Sequence, residues 1–260
     1  FLVWMFPRHM ITEGLLTMMV TKVGAIGLCT AIYLSRGRGF GKLTTIVFSA
    51  SYALCSYTMV QTMNPMWLDG VMILPLVVYG IEKLIDEGKF VMCTISLVYA
   101  FVTCFYIGFM IAIFSAIYFL YYAVVSHKKG LARLFIGRGV LFTAVALVSA
   151  MISSYMLIPV YNSLSYGKFE FSEPDYSSVY TNFDLIEMLD KMFPLTYDTV
   201  RMSGLPFIYC GTIVILLLPC YFFMKKIRGR DRIGAAVIIS ILCVSMWICQ
   251  VDMLWHGGQL

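Results

Sequence analysis

The sequence has 260 residues, of which 60% are hydrophobic and only 13% are charged, and its mean hydropathy is +0.85. This composition excludes an ordinary soluble globular protein, because water offers no place for so much apolar surface. The net charge of +5 does not indicate a nucleic-acid partner, since the cations fall in short clusters between apolar runs. The composition therefore predicts an all-α polytopic membrane protein that contacts membrane lipid.

Seven apolar stretches are candidates for membrane-spanning helices, which need roughly 20 residues each. Six have about that length: Leu15–Leu34, Leu43–Met63, Met66–Ile85, Val140–Val160, Phe207–Met224 and Ile233–Val251. The seventh, Phe90–Val125, has 36 residues without a charge. One helix of that length would measure about 54 Å against a hydrocarbon core of about 30 Å. We therefore predict a break at Thr103–Gly108 and eight spans in total.

The distribution of Lys and Arg tests this count. Most of the cations, 14 of 19, lie in four connections: Arg36–Lys42, Glu82–Lys89, Ser126–Arg138 and Lys225–Arg232. The positive-inside rule places such clusters in the cytoplasm. All four fall on one side only when the long stretch is split in two. The sequence thus predicts eight crossings in a single transmembrane domain, 1–260. Because the chain opens at Phe1 without Met, we expect an internal piece of a longer protein.

The segment Tyr161–Pro206 is the largest polar connection, and the predicted topology places it outside the cytoplasm as a loop within the domain. Within it, Phe183–Phe193 has the apolar spacing of a short amphipathic helix, with Asn182 as a candidate N-cap. We expect this helix to lie on the membrane surface or to cap the helical bundle.

The eight cysteines all fall inside or at the edge of apolar stretches, where thiols act as small hydrophobic groups. We expect neither a disulfide nor a zinc site. The sequence also lacks the HExxH, P-loop, GxGxxG and CxxC patterns of common soluble enzymes. No cofactor is identified from these patterns.

Lys22 stands in the middle of a predicted span. A charged group at that depth is costly and faces either a functional cavity or a partner. The functional interpretation and that of an internal ion pair both stay open at this point.

The turn Asn64–Asp69 joins two predicted spans on the outer side. Pro65 removes a backbone donor and disfavours helix at Asn64, so the chain should break there. The turn then presents Asn64 and Asp69 beside Trp67. These residues are candidates for binding or catalysis, and the alternative is a helix start whose N-terminal end stabilises the Asp69 carboxylate.

His256 follows the last span on the same side and can act as an acid, a base or a phosphate ligand near neutral pH. His9 and Arg8 face the same way. The acidic residues Glu173 and Asp175 in the outer loop could hold a divalent metal or perform acid–base chemistry, or form an ordinary solvated loop.

Four stretches of this sequence, in the same order, resemble motifs of the bacterial YfhO membrane-protein family. They are Asn64–Gly70 (Asn-Pro-Met-Trp-Leu-Asp-Gly), the Tyr-Ile-Gly of Phe105–Met110, the Gly-Leu-Pro stretch Gly204–Gly211 with Phe207 where the family has Asn, and Trp255–Gly257 with its outer His-Gly pair. The Met-Trp-Leu-Asp match is fairly specific, and together the four span most of the chain.

The resemblance implies a GT-C-type glycosyltransferase in the bacterial cytoplasmic membrane. Such an enzyme moves a sugar from a polyprenyl-phosphate donor to a cell-envelope polymer, such as lipoteichoic or wall teichoic acid, on the outer face. The acidic base of GT-C enzymes lies in a first outer loop, which we expect upstream of Phe1. The resemblance assigns Asp69 and His256 to catalysis and Asn64, Trp67 and Tyr106 to donor binding. A divalent metal is compatible with this chemistry, although nothing in the sequence specifies one.

Two other functions stay open. A transporter or flippase of a lipid-linked envelope precursor would suit Lys22 and the predicted helix breaks. A non-catalytic scaffold for envelope assembly would use the surface helix of the outer loop as its contact.

Overall fold

The computed structural model describes residues 2–126, 134–167, 180–194, 196 and 205–256. Within these ranges the chain is helical, and its single isolated β-bridge joins Thr181 to Ile248. The all-α prediction is confirmed. The α-helices are α1 Ile11–Ile32, α2 Lys42–Ala53, α3 Ser56–Val60, α4 Pro65–Glu87, α5 Val91–Thr103, α6 Phe105–Ser126, α7 Val140–Ile152, α8 Ser154–Gly167, α9 Leu185–Asp190, α10 Thr212–Phe223, α11 Gly229–Trp247 and α12 Cys249–Trp255.

Three helical segments in the described ranges are long and apolar enough to cross a bilayer: Arg8–Gly37, Phe105–Ser126 and Phe135–Ile152. The pair Lys42–Ala53 and Ser56–Met63, bent by 45°, makes a fourth if it counts as one span. These lengths support a membrane protein. The predicted count of eight spans stays a prediction.

The long apolar stretch is broken where the sequence indicates. Helix α5 ends at Thr103, Cys104 has an extended backbone (φ −155°, ψ 109°), and α6 begins at Phe105. A Cβ atom at Gly108 would lie 2.8 Å from the Ala100 carbonyl oxygen, so glycine permits the two helices to meet this closely. The predicted break at Thr103–Gly108 is confirmed.

A non-helical segment lies against the bend between α2 and α3. The backbone N–H of Ser56 donates to the Tyr209 carbonyl oxygen at 2.8 Å. Residues 205–211 are not helical, and α10 begins only at Thr212. The predicted start of this span at Phe207 is wrong, because Gly211 takes a backbone φ of 110°, which a right-handed helix excludes, and the helix begins only after it.

Three further segments differ from prediction. The stretch Val140–Val160 is divided into α7 and α8 at Ser153, and the last predicted span is interrupted at Ile248. The helix of the outer loop is shorter than predicted, and its N-cap is Asp184. Asn182 does not cap this helix, because its side-chain amide donates instead to Asp252 in α12 and to the carbonyl oxygen of Met246.

Helix α4 is the centre of the packed core. Ile73, Val77, Ile81 and Leu84 recur at helical spacing and are buried against α5 and α6. A Cβ atom at Gly80 would lie 2.6 Å from the Cys93 Cα atom, so α4 and α5 are in backbone contact there. The small residue at this crossing sets how closely the two helices approach.

Side-chain contacts fix the relative directions of the helices. Helices α1, α4 and α6 run parallel, since Tyr33, Glu82 and Tyr118 meet at one end. Helix α11 is antiparallel to α6, because Gly234 near the start of α11 packs on Val125 near the end of α6. We call this the basic end, since the connection Arg36–Lys42 and the residues around Arg230 lie there, and the opposite end the outer end.

Candidate functional site

The turn at Asn64 is formed as the sequence predicts. Asn64 has a non-helical backbone (φ −116°, ψ 70°), and Pro65 occupies the first turn of α4. Proline is favoured there, because its missing N–H is one that the helix start leaves unpaired anyway. The first turn of α4 therefore carries Trp67, and Asp69 follows at the start of the second turn.

Lys22 of α1 forms an ion pair with Asp69. Its ammonium nitrogen lies 2.7 Å from Asp69 Oδ2 and donates to the Pro65 carbonyl oxygen at 2.7 Å. The two side chains are 19% and 15% exposed. Tyr99 of α5 donates to the other carboxylate oxygen at 3.4 Å. The internal ion pair that the sequence left open for Lys22 is thus formed, and it joins α1, α4 and α5.

The ion pair lies well inside the bundle along the helix axes. Asp69 is 13 residues from Glu82 in α4, which is about 20 Å of helix axis. Glu82 itself lies at the basic end, where Arg38 leaves α1. Charged side chains that pair with one another inside the helical bundle of a membrane protein are candidates for functional positions.

Three aromatic rings form a second group, which we call the outer stack: Trp67, Tyr106 and His256. The Trp67 and Tyr106 rings are 5.9 Å apart between centroids and inclined by 29°, and those of Tyr106 and His256 are 5.4 Å apart. The Tyr106 hydroxyl and His256 Nδ1 also share a hydrogen bond. The stack brings together the first turn of α4, the first turn of α6 and the end of α12.

The imidazole of His256 is held on both sides. His256 Nε2 lies 3.3 Å from Asp252 Oδ1, one turn earlier along the chain. Asp252 Oδ2 accepts a hydrogen bond from Asn182 at 3.1 Å. A carboxylate on one ring nitrogen orients the imidazole and favours the proton on that nitrogen, which leaves the other to accept from Tyr106. The connected series from Asn182 to Tyr106 can move a proton or present an oriented hydroxyl to a ligand.

The structure thus brings together three of the five predicted site residues, Trp67, Tyr106 and His256. Asp69 belongs to the ion pair with Lys22 instead. Trp67 and Asp69 are two residues apart in α4 and therefore project from different sides of the helix. Asn64 is exposed, and its side chain donates to Gln61 Oε1 at 3.0 Å. Its carbonyl oxygen accepts a hydrogen bond from the backbone N–H of Trp67 at 3.0 Å.

Sequence reasoning missed Asp252, Asn182 and Tyr99. Asp252 was detectable, because a carboxylate four residues before a histidine faces it on a helix. Asn182 and Tyr99 come from distant segments and have no local signal.

A further cluster at the basic end was also missed. The Glu82 side chain is only 7% exposed. It accepts hydrogen bonds from Tyr118 at 2.6 Å and Tyr33 at 3.0 Å and pairs with Arg38. Arg38 Nε in turn donates to the Tyr33 hydroxyl at 2.9 Å. We call Tyr33, Arg38, Glu82 and Tyr118 the inner cluster. Because the buried carboxylate is hydrogen-bonded by the other three residues, the inner cluster joins α1, α4 and α6.

Within the described ranges, no three His, Cys, Asp or Glu side chains are grouped as a metal site would require. The predicted acidic cluster at Glu173 and Asp175 lies outside those ranges.

Comparison with known proteins gives one match. The family model described as "Bacterial membrane protein YfhO" matches residues 1–260. No curated protein and no solved structure matches the chain. Since the family model covers every residue, the chain belongs to the YfhO family of bacterial membrane proteins.

Proposed function

We propose that this chain is part of a GT-C-type glycosyltransferase with eight crossings of the bacterial cytoplasmic membrane. It moves a sugar from a polyprenyl-phosphate donor to a cell-envelope polymer, such as lipoteichoic or wall teichoic acid, on the outer face. The observation that carries the proposal is the outer stack, in which His256 is oriented by Asp252 and bound to Tyr106.

The outer stack has the chemistry that a sugar phosphate needs. The Trp67 and Tyr106 rings offer flat apolar faces on which a sugar ring can stack. The His256 imidazole, held by Asp252, orients the Tyr106 hydroxyl, and this pair can stabilise the charge that develops on the departing phosphate of the donor as its bond to the sugar breaks. Asn64 would contact the donor at the exposed rim of the turn.

Asp69 has a different role in this proposal. Its carboxylate is compensated by Lys22, so it is poorly suited to be a free base. It instead holds the Lys22 ammonium in place, and two of the three ammonium donors are used by Asp69 and Pro65. The third donor of the ammonium would be the one that contacts a phosphate oxygen of the donor lipid.

The test is to delete the gene and measure sugar decoration of wall polymers, then to complement with the parent gene, Asp69→Asn or His256→Ala. We expect decoration to be lost on deletion and reduced by both variants. His9→Ala is the matched control, since His9 is exposed at the same end outside the stack, and it should complement fully. Unchanged decoration after deletion would refute the transferase. Full complementation by both variants would remove these two residues from its site.

A second candidate function is a flippase of a lipid-linked precursor. It is favoured by the Lys22–Asp69 pair at membrane depth and by the unwound segment at Tyr209 beside the bent α2–α3 pair. Proteoliposomes separate the two functions. A transferase modifies a soluble acceptor when the donor is supplied on the same side, whereas a flippase moves the donor across without forming product.

A further inference from the structure

An apolar groove of about 520 Å³ lies on the basic half of the bundle. Its walls come from α1 and the turn that follows it, α2, α4, α6 and the start of α10, and include Leu34, Phe48, Val78 and Val214. It does not include any residue of the outer stack or the Lys22–Asp69 pair. The site is therefore separate from the proposed sugar chemistry.

The groove has the length of one leaflet. Val78 and Leu74 precede Glu82 in α4 by four and eight residues, which places them about 6 and 12 Å along the helix axis from the basic end. At the opposite wall Tyr52 lies ten residues, about 15 Å, from the start of α2 at Lys42. Half of a 30 Å hydrocarbon core is also about 15 Å. The groove thus extends from the basic end to about the bilayer midplane.

The basic end of the groove is flanked by two cations. Phe40 lines the groove, and Arg36 and Lys42 stand on either side of it in the chain, both exposed. Arg38, between them, is engaged by Glu82 and Tyr33. Among the side chains that the structure describes, Arg36 and Lys42 have no ion-pair or hydrogen-bond partner. They remain available to an anion at the level where lipid headgroups lie.

We propose that this groove binds an anionic phospholipid of the cytoplasmic leaflet, with one acyl chain along the apolar wall and the headgroup phosphate at Arg36 and Lys42. The positive-inside topology places this end at the leaflet that carries anionic lipid. An apolar groove open to the bilayer accepts any chain, and the two free cations select the charged headgroup.

The experiment uses the complete protein purified in detergent and measures bound lipid by native mass spectrometry. Phosphatidylglycerol and phosphatidylcholine with identical chains are titrated at low ionic strength. We expect one tightly held phosphatidylglycerol and at least tenfold weaker phosphatidylcholine. Arg36→Gln with Lys42→Gln should weaken phosphatidylglycerol about 25-fold, since each cation near the surface contributes about fivefold.

Two pairs of matched variants distinguish this site from general effects. Lys225→Gln with Lys226→Gln removes the same charge from exposed positions at the same end and should leave binding unchanged. Val78→Trp fills the groove and should abolish binding of both lipids, whereas Leu147→Trp, in a different groove, should not. If Val78→Trp does not give monodisperse protein, Val214→Phe narrows the groove from the opposite wall.

The proposal is overturned if the two double charge variants lose the same amount of affinity for phosphatidylglycerol, or if the parent protein binds the two lipids equally tightly. It is also overturned if the groove-filling variants bind lipid as the parent protein does. Absence of bound lipid in the parent protein would also overturn it, because the groove would then be covered by another part of the complete chain.

Discussion

Lys22 and Asp69 are joined at 2.7 Å between α1 and α4, each with less than a fifth of its side chain exposed. The pair accounts for a lysine that would otherwise stand uncompensated in a membrane-spanning helix. It also neutralises the carboxylate that family resemblance assigns to catalysis. The contact with Lys22 therefore bears on both the stability of the protein and the proposed function of Asp69, and experiments can separate the two roles.

Breaking one side of this pair should destabilise the protein. Asp69→Asn leaves the Lys22 charge without a counter-ion, which we expect to cost about 3 kcal/mol of unfolding free energy. Lys22→Met combined with Asp69→Asn removes both charges and should recover most of that loss. Thermal unfolding in detergent, followed by tryptophan fluorescence, measures the difference.

The control for the pair is Glu87→Gln, which breaks the exposed ion pair with Lys89. Solvent screens that pair, so no measurable shift in melting temperature is expected. A double variant as unstable as Asp69→Asn would show that the Lys22 charge is not the cause.

Asp252 should act through His256. In the transferase assay we expect His256→Ala to reduce the rate about 100-fold, in the range of general acid–base catalysis. Asp252→Asn should reduce it about tenfold, because the imidazole loses its orienting carboxylate. The combined variant should be no worse than His256→Ala alone, since residues that act as a unit are not additive. Multiplied losses in the double variant would show that the two residues act independently.

Gly80 should be needed for the close approach of α4 and α5. Gly80→Ala places a methyl group 2.6 Å from the Cys93 Cα atom, and we expect a loss of about 1–3 kcal/mol of stability. Gly24→Ala is the matched control in α1, where a Cβ atom meets nothing within 4 Å. There alanine should be neutral or stabilising by up to about 1 kcal/mol. Thermal unfolding of the two variants gives the comparison, and equal effects would contradict close packing at Gly80.

The topology of eight crossings predicts the side of each connection. Alkaline phosphatase, which is active only outside the cytoplasm, should be active when fused after Asn182 and inactive when fused after Gly88 or Arg228. If the stretch Phe90–Val125 crossed only once, the fusions at Asn182 and Arg228 would exchange activities. The pattern therefore tests the break at Cys104 in the living membrane.

The sequence by itself determined the structural features that depend only on residues close together in the chain. Pro65 cannot continue a helix backwards, so the turn before α4 follows from local sterics. A single helix over Phe90–Val125 would be longer than the bilayer is thick, so this stretch had to contain a break. The clustered cations identified the basic end. Even the Asp252–His256 contact was accessible, because four residues make one helical turn.

Only the tertiary structure decided which side chains meet. Tyr106 and His256 are 150 positions apart in the chain, and the rotation and depth of each helix determine whether they touch. Those quantities depend on how backbones pack at small residues such as Gly80 and Gly108, which apolar periodicity does not encode. For the same reason Asp69, predicted beside Trp67 as part of one site, is turned toward Lys22 instead. A helix displays its residues on all sides, and its neighbours decide which of them share a site.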